Sequence, residues 1–95
     1  MENRLLTRLG TLRQLEIFMK VAETRSIARA AEELFLSHSA VSVQIRKLAE
    51  ALGLPLHEVI GKQLHITAAG LEVAKTGDEL FAVIRRLDET INNLK

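Results

Sequence analysis

The feature that most constrains the fold of this chain is a pair of short helical patterns with only a few residues between them. Apolar side chains recur at helical spacing over residues 27–34 and again over 41–52. Ser26 and Ser37 precede the two patterns, at positions where a serine hydroxyl caps free backbone N–H groups. Helices joined this closely cross at a steep angle, so the start of the second projects outward. The pattern predicts a helix-turn-helix, whose second helix enters the major groove of DNA.

One more helix is predicted before this pair, and a β-hairpin after it. Thr11 opens a capping box ahead of the apolar stripe of a first helix that runs to about Glu23. The Gly-Leu-Pro sequence at 53–55 ends the third helix, since proline cannot continue it. Within residues 56–67, polar and apolar side chains alternate after a Gly-Lys turn, which is the period of a β-hairpin. Three helices followed by such a hairpin form a winged helix-turn-helix.

The final predicted helix, capped by Thr67, carries a heptad stripe. Its seam positions are Gly77, Leu80, Ile84, Leu87, Ile91 and Leu94. The three core helices already cover one another's apolar faces, so we interpret this stripe as a homodimerisation surface. Phe81 and Val83 widen it, which leaves packing on the body of the domain as the alternative. Isoleucine at a and leucine at d is by itself typical of parallel helix pairs.

The sequence therefore predicts a mainly α-helical chain in three parts. Residues 1–10 form an N-terminal extension, 11–66 the winged helix-turn-helix domain, and 67–95 a long linker and dimerisation helix. The 95 residues make one domain at most, and 47% hydrophobic residues indicate a globular chain. No apolar run approaches the roughly 18 residues of a membrane span, so no membrane partner is expected.

The composition gives no support to catalysis or to metal binding. No nucleophile–base pair or phosphate-cradling glycine loop is visible, and we predict that the chain is not an enzyme. Cysteine is absent, which fits a reducing cytoplasm, and the three histidines are not spaced as a ligand set. We therefore expect no metal and no cofactor. Only three aromatic side chains, all Phe, are present, which disfavours binding of single strands by base stacking.

The side chains best placed for DNA contact lie at the start of the predicted third helix and point away from its apolar stripe. They are Ser37, His38, Ser39, Ser42, Val43, Arg46 and Lys47. Those from 38 to 43 are nearest to base edges, and the two cations lie nearer the DNA backbone. These cations are the only formal charges between residues 36 and 49, so no carboxylate repels phosphate there.

Five further residues are candidates for DNA contact, and each also has a structural interpretation. Ser26 caps a helix whose N-terminus favours a phosphate, and Lys62 is a turn residue at the wing tip, beside the minor groove. Gln44 faces either DNA or the edge of the core. Arg13 opens the first helix near the DNA backbone, while Thr67 is chiefly a cap with a phosphate contact as its second role.

Taken together, the chain resembles the N-terminal DNA-binding domain of LysR-type transcriptional regulators over about residues 12–70. The resemblance lies in the order and spacing of Leu12-Arg13-Gln14-Leu15, Phe18, Val21-Ala22-Glu23, Ser26, Ala30-Ala31, Leu34, Ser37, Ala40-Val41-Ser42, Gln44-Ile45, Leu48, Leu52-Gly53, Leu56, Leu64, Thr67 and Ala69-Gly70. Residues 71–95 are similar to the family's linker helix, and 56–62 resembles the subgroup that regulates Calvin-cycle carbon-fixation operons. A molybdate-type regulator, whose N-terminal domain is similar, is the nearest alternative.

The resemblance implies partners that the residues alone do not. It implies a dimeric or tetrameric, cytoplasmic bacterial regulator whose paired linker helices run antiparallel, and here we follow the family rather than the heptad rule. It implies a double-stranded operator with inverted-repeat symmetry and T-rich and A-rich ends. It also implies control by a small-molecule effector through a C-terminal domain absent from this chain. We therefore expect a longer parent protein, and the alternative is a small natural protein that has this domain alone.

The chain departs from the family pattern at positions that bear on function. His38-Ser39 replace the usual Gln-Pro at expected base-reading positions, and His57 and Val59 replace the usual Phe and Arg. Such changes preserve the fold but leave the operator sequence and the regulated genes undefined. A second class of function stays open: a protein-interaction module that dimerises through the heptad helix and has no salt-dependent affinity for duplex DNA.

Overall fold

The structure, a computed structural model, describes residues 12–95 and contains within them four α-helices and one two-stranded sheet. The elements in chain order are α1 (Leu12–Thr24), α2 (Ile27–Leu34), α3 (His38–Leu52), β1 (His57–Ile60), β2 (Gln63–Ile66) and α4 (Ala68–Leu94). The two strands pair antiparallel. The predicted fold class, a winged helix-turn-helix followed by a long helix, is confirmed. The predicted Thr11 cap and the 1–10 extension lie outside the described residues.

Three helices begin at the hydroxyl caps that the sequence predicts. The side-chain oxygen of Ser26 accepts a hydrogen bond from the Arg29 N–H at 3.1 Å, and that of Ser37 accepts one from the Ala40 N–H at 3.1 Å. Thr67 receives the Gly70 N–H in the same way. Each cap stabilises its helix by about 1 kcal/mol. The caps therefore fix where α2, α3 and α4 start.

The turn between α2 and α3 depends on a left-handed phenylalanine. Phe35 has a φ of 57°, and its side chain is 94% exposed. Its N–H donates to the carbonyl of Glu32, and the Leu36 N–H donates to the carbonyl of Ala31. These bonds satisfy the last carbonyls of α2 and turn the chain at once into the cap of α3. Only Phe35, Leu36 and Ser37 separate α2 from α3, which is the short connection expected of a helix-turn-helix.

The core lies where α1, α2 and α3 meet. Its fully buried large side chains are Phe18, Val21, Val41, Ile45, Leu48 and Leu56. Burial of each such side chain stabilises the fold by roughly 1.5–3 kcal/mol. Ala30 and Ala31, also buried, allow α2 to approach the other two helices closely. Because Val41, Ile45 and Leu48 are buried, α3 can present only its opposite face to solvent.

The base of the wing is fastened to the first turn of α4. The Thr67 hydroxyl donates to the carbonyl of Pro55 at 2.7 Å, and the Thr67 N–H donates to the carbonyl of Leu56 at 3.1 Å. Gly70 is buried at the same place, and a Cβ there would collide with the backbone oxygen of Leu56. Wing and α4 are thus held together by backbone contacts, which no side-chain rearrangement can replace.

The first half of α4 packs on α1, and the second half projects from the body. Gly77 is buried, and a Cβ at this position would collide with the sulfur of Met19 in α1. This differs from the prediction that Gly77 opens the dimerisation seam, because its surface is already covered within the chain. Phe81 is half-buried, whereas every residue from 83 to 95 is exposed. The seam open to a second chain therefore begins at Leu80.

Candidate nucleic-acid interface

The first turn of α3 is presented to solvent. Ser37, His38 and Ser39 are all exposed, while Val41 and Ile45 on the opposite side of the helix are buried. The hydroxyl oxygens of Ser37 and Ser39 lie 3.3 Å apart, so the cap and the first turn are hydrogen-bonded to each other. The structure therefore gives this turn the exposure that base reading requires.

The second turn of α3 lies closer to the body of the domain. Ser42, Val43 and Gln44 are half-buried. The amide oxygen of Gln44 accepts a hydrogen bond from the side-chain nitrogen of Gln14 in α1 at 2.9 Å. This bond places Gln44 at the edge of the core, which was one of its two interpretations. Only its remaining amide surface is left for contact with a ligand.

The cations near this surface differ in their partners. Arg46 lies with its Nε 4.0 Å from the Glu50 carboxylate, and both side chains are largely exposed. Within the described residues, the exposed Lys47 and Lys62 belong to no ion pair. An exposed ion pair is weak, about 0–1 kcal/mol, so a phosphate competes readily for Arg46. The face of α3 and the wing tip thus offer cations to a polyanion.

Three cations of α1 and α2, Arg13, Lys20 and Arg29, lie within ion-pair distance of carboxylates. The Arg13 guanidinium lies 2.6 Å from the Glu16 carboxylate. Lys20 lies 3.2 Å from the carboxylate of Glu23 and 3.6 Å from that of Glu33, which joins α1 to α2. The hydrogen bond and the charge of Glu23 raise the pKa of Lys20, with a smaller contribution from Glu33. The Arg13–Glu16 pair is exposed like that of Arg46, so it is also weak and leaves Arg13 accessible to an anion.

The wing places Lys62 at its tip. Gly61 and Lys62 have φ values of 56° and 67°, so both residues of the turn are left-handed, as expected for a tight two-residue hairpin turn. Ile60 and Gln63 flank this turn as paired residues. The predicted position of the turn is confirmed, and the Lys62 side chain is exposed there.

Two of the predicted contact residues have hydroxyls that are committed to the fold. The Ser26 oxygen caps α2, and Thr67 both donates to Pro55 and accepts from Gly70. Thr67 therefore fastens the wing to α4 and has no hydroxyl hydrogen left for a phosphate. Ser26 still stands at the start of α2, where the first backbone N–H groups favour an anion.

A groove between α3 and the wing contains a residue that sequence reasoning missed. The groove has a volume of about 320 Å³, and its polar lining consists of Ser42, Arg46 and His57. His57 is half-buried at the start of β1. The sequence signal was its replacement of the phenylalanine usual in the resembling family, which the sequence analysis related to the choice of operator without assigning His57 a contact.

The projecting half of α4 exposes an apolar stripe. Leu80 and Ile84 are 36% and 37% exposed, and exposure rises to 61%, 45% and 78% for Leu87, Ile91 and Leu94. Apolar side chains that recur along one helix in this way are typical of a surface covered by a partner. Along residues 12–95, no helix has the length and apolar character needed to cross a bilayer. The same part of the chain holds no cluster of three or more His, Asp or Glu able to bind a metal.

With this geometry established, comparison with known proteins identifies the family. The family model of the bacterial regulatory helix-turn-helix proteins of the lysR family matches residues 12–71, well over half of the chain. The chain belongs to the LysR family. The resemblance stated from the sequence is therefore confirmed, and the matched range of this LysR-family chain runs from the start of α1 into the start of α4.

Curated relatives of this LysR-family chain include a transcriptional activator and a RuBisCO operon transcriptional regulator. It is 40% identical over 86 residues to the HTH-type transcriptional activator CmpR of Synechocystis sp., which covers 90% of the chain and 28% of the relative. It is 45% identical over 85 residues to the RuBisCO operon transcriptional regulator of Allochromatium vinosum, with the same 90% and 28% coverage. The chain thus spans a little over a quarter of the length of these relatives.

Solved LysR-family domains have the same fold. The BenM_DBD complex with catB site 1 DNA matches with a TM-score of 0.84 and 26% identity, over 90% of this chain and 96% of that chain. The CbnR_DBD–DNA complex matches with a TM-score of 0.81 and 27% identity, over 90% of this chain and 98% of that chain. Both matched structures are complexes with DNA.

Proposed function

We propose that this chain is the sequence-specific, double-stranded DNA-binding domain of a bacterial transcriptional regulator. The observation that carries the proposal is the first turn of α3, which is exposed, free of carboxylates and supported from behind by a buried apolar ridge. A helix presented in this way fits the major groove, and the adjacent wing reaches the minor groove. The similarity to BenM and CbnR domains in complex with DNA supports this geometry.

Base reading is assigned to the exposed and half-exposed side chains at the start of α3. The imidazole of His38 and the hydroxyls of Ser39 and Ser42 offer donors and acceptors to base edges. Val43 offers an apolar surface for the methyl group of thymine. Because His38 and Ser39 are the most exposed, they dominate the choice of sequence. Ser37 caps the helix beside them.

Contact with the DNA backbone is assigned chiefly to cationic side chains. Lys47 and Arg46 lie further along α3, where the DNA backbone rises on either side of the major groove, and Lys62 reaches the minor-groove edge. The N-terminus of α2 at Ser26 adds N–H groups that favour a phosphate. Gln44 and Thr67 are hydrogen-bonded within the chain, so their contribution is secondary, whereas the exposed ion pair of Arg13 is weak and leaves this cation able to contact the backbone.

Dimerisation is assigned to the exposed stripe of α4. Two copies that pair their α4 helices antiparallel cover the seam from Leu80 to Leu94 and place two α3 helices related by a two-fold axis. Such a dimer reads an inverted repeat whose half-sites lie about one helical turn apart, or a multiple of it. Because this surface is small, the intact protein gains further contacts elsewhere and reaches a dimer or a tetramer.

The names of the relatives indicate the kind of operon that this chain regulates. CmpR and the RuBisCO operon regulators are named for transcriptional control, and the similarity extends over 90% of this chain. We infer control of a carbon-fixation operon in the bacterial cytoplasm, with a small-molecule effector bound by a domain outside this chain. The function requires no catalytic activity and no resident cofactor.

A salt titration of DNA binding tests the proposal. Fluorescence anisotropy with a mixed-sequence duplex should show complex formation at low ionic strength and a steep loss of affinity with salt. Lys47→Ala should reduce the slope of log K against log salt by about 0.9, the value for one phosphate contact. Lys75→Ala, which removes an exposed lysine from α4, is the matched control and should leave the slope unchanged. Absence of any complex at low ionic strength would refute DNA binding and favour the protein-interaction module.

A further inference from the structure

The groove between α3 and the wing combines apolar and polar walls. Ile27 and Pro55 belong to its apolar lining, and Ser42, Arg46 and His57 to its polar lining. The polar residues come from two elements, α3 and β1, that the proposed function assigns to two different grooves of DNA. The DNA strand that separates the two grooves must therefore pass through the space between these elements.

We propose that this groove is a phosphodiester-binding subsite, in which His57 contacts the sugar–phosphate strand between the major and minor grooves. The inference rests on the proposed function: with α3 in the major groove and the wing in the adjacent minor groove, that strand must cross between α3 and β1. Deoxyribose carbons then pack on the apolar lining. A phosphate oxygen accepts hydrogen bonds from Ser42, Arg46 and His57.

The charges that surround His57 leave a protonated imidazole without a counter-ion inside the groove. Of the elements around His57, α3 contributes the charged Arg46. The side chains that the other elements contribute are apolar: Ile27 of α2, Pro55 and Leu56 before β1, and Ile66, which pairs with His57 from β2. Glu50 pairs with Arg46 but does not line the groove. Glu58 and His65 are cross-strand partners, one position out of phase with His57, and so lie on the other face of the hairpin. No carboxylate is among the lining residues.

The consequence is that duplex binding is coupled to protonation. An imidazole changes its charge between about pH 5 and pH 8. A phosphate held in the groove favours the charged form of an imidazole that contacts it. The complex therefore takes up a proton. Affinity is greatest at low pH, where the imidazole is charged, and falls as the pH rises and the imidazole loses its proton.

The test compares salt dependence at two pH values with a mixed-sequence duplex, so that base reading does not contribute. For the chain that retains His57, affinity should be higher at about pH 6 than at about pH 8. The slope of log K against log salt should also be steeper at the lower pH by about 0.9, because one more phosphate is neutralised. Because His38 also places an imidazole on the proposed DNA-contacting face, all chains compared carry His38→Gln, and in that background His57→Gln and His57→Phe should remove both differences. His65→Gln, on the other face of the hairpin, is the matched control and should retain them.

The outcomes separate this inference from the proposed function. Binding that is equally tight and equally salt-dependent at both pH values would overturn the subsite while leaving DNA binding intact. Retention of the full pH dependence in both His57 variants would also overturn it. Absence of any complex with the duplex would instead refute the proposed function, and the subsite with it. Thermal unfolding of each variant at both pH values verifies that the domains compared are folded.

Discussion

Replacing Phe35 with glycine should stabilise the domain, although it removes a large apolar side chain. The reason is the left-handed backbone of this residue, which has a φ of 57° at the end of α2. For a residue with a Cβ, this conformation is less stable by about 1–2 kcal/mol, whereas glycine adopts it without this cost. The phenylalanine ring contributes little stabilisation by burial, because the residue is 94% exposed.

The expected gain follows from two opposing contributions. Relief of the left-handed strain contributes about 1–2 kcal/mol, and the extra backbone entropy that glycine loses on folding costs about 0.5–1 kcal/mol. The net increase in the free energy of unfolding is therefore about 0.5–1 kcal/mol. For a domain of this size, such a change raises the Tm by roughly 2–8 °C.

Urea denaturation followed by far-UV circular dichroism measures this free energy directly. The measurement should be made at several protein concentrations, since dimerisation would contribute to stability. Phe35→Ala is the matched control: it removes the ring but keeps the Cβ that causes the strain, so it should give no gain. Loss of stability in Phe35→Gly, or an equal gain in both variants, would refute the argument from backbone strain.

Three further substitutions test other contacts. Gly70→Ala should lower the free energy of unfolding by about 1–3 kcal/mol, because its Cβ would collide with the Leu56 carbonyl; wild-type stability in urea denaturation would contradict this packing. Leu87→Asp should yield monomers in sedimentation analysis and weak operator binding, while Glu89→Ala should sediment as the unmodified chain does. Lys62→Ala should weaken binding to every duplex and reduce the salt slope by about 0.9, and an unchanged slope would remove the wing tip from the interface.

Local features of the fold were predictable from the sequence. The caps at Ser26, Ser37 and Thr67 were identified correctly because a capping hydroxyl bonds an N–H only three residues away. The hairpin turn was also identified, since polar and apolar side chains alternate directly after the Gly-Lys pair. In each case the deciding contact lies within a few residues along the chain.

Features that depend on distant contacts were not predictable. The heptad pattern assigned Gly77 to the dimer seam, but only the packing of α4 on α1 reveals that Met19 covers it. In the same way, the bond between Gln44 and Gln14 joins residues 30 positions apart. The groove that His57 and Arg46 both line depends on how the wing packs against α3. Periodicity along one helix carries no information about which neighbour covers each side.

The attachment of the wing to α4 makes the long helix a lever. Its 27 residues form a rod of about 40 Å, and the first turn of that rod is bonded to the base of the hairpin. Because the hairpin moves with the rod, turning the rod by about 10° about its far end displaces the hairpin by about 7 Å. In a two-fold assembly, small changes in the angle between two such rods would therefore shift the spacing of the two hairpins along a duplex, while each individual domain stays rigid.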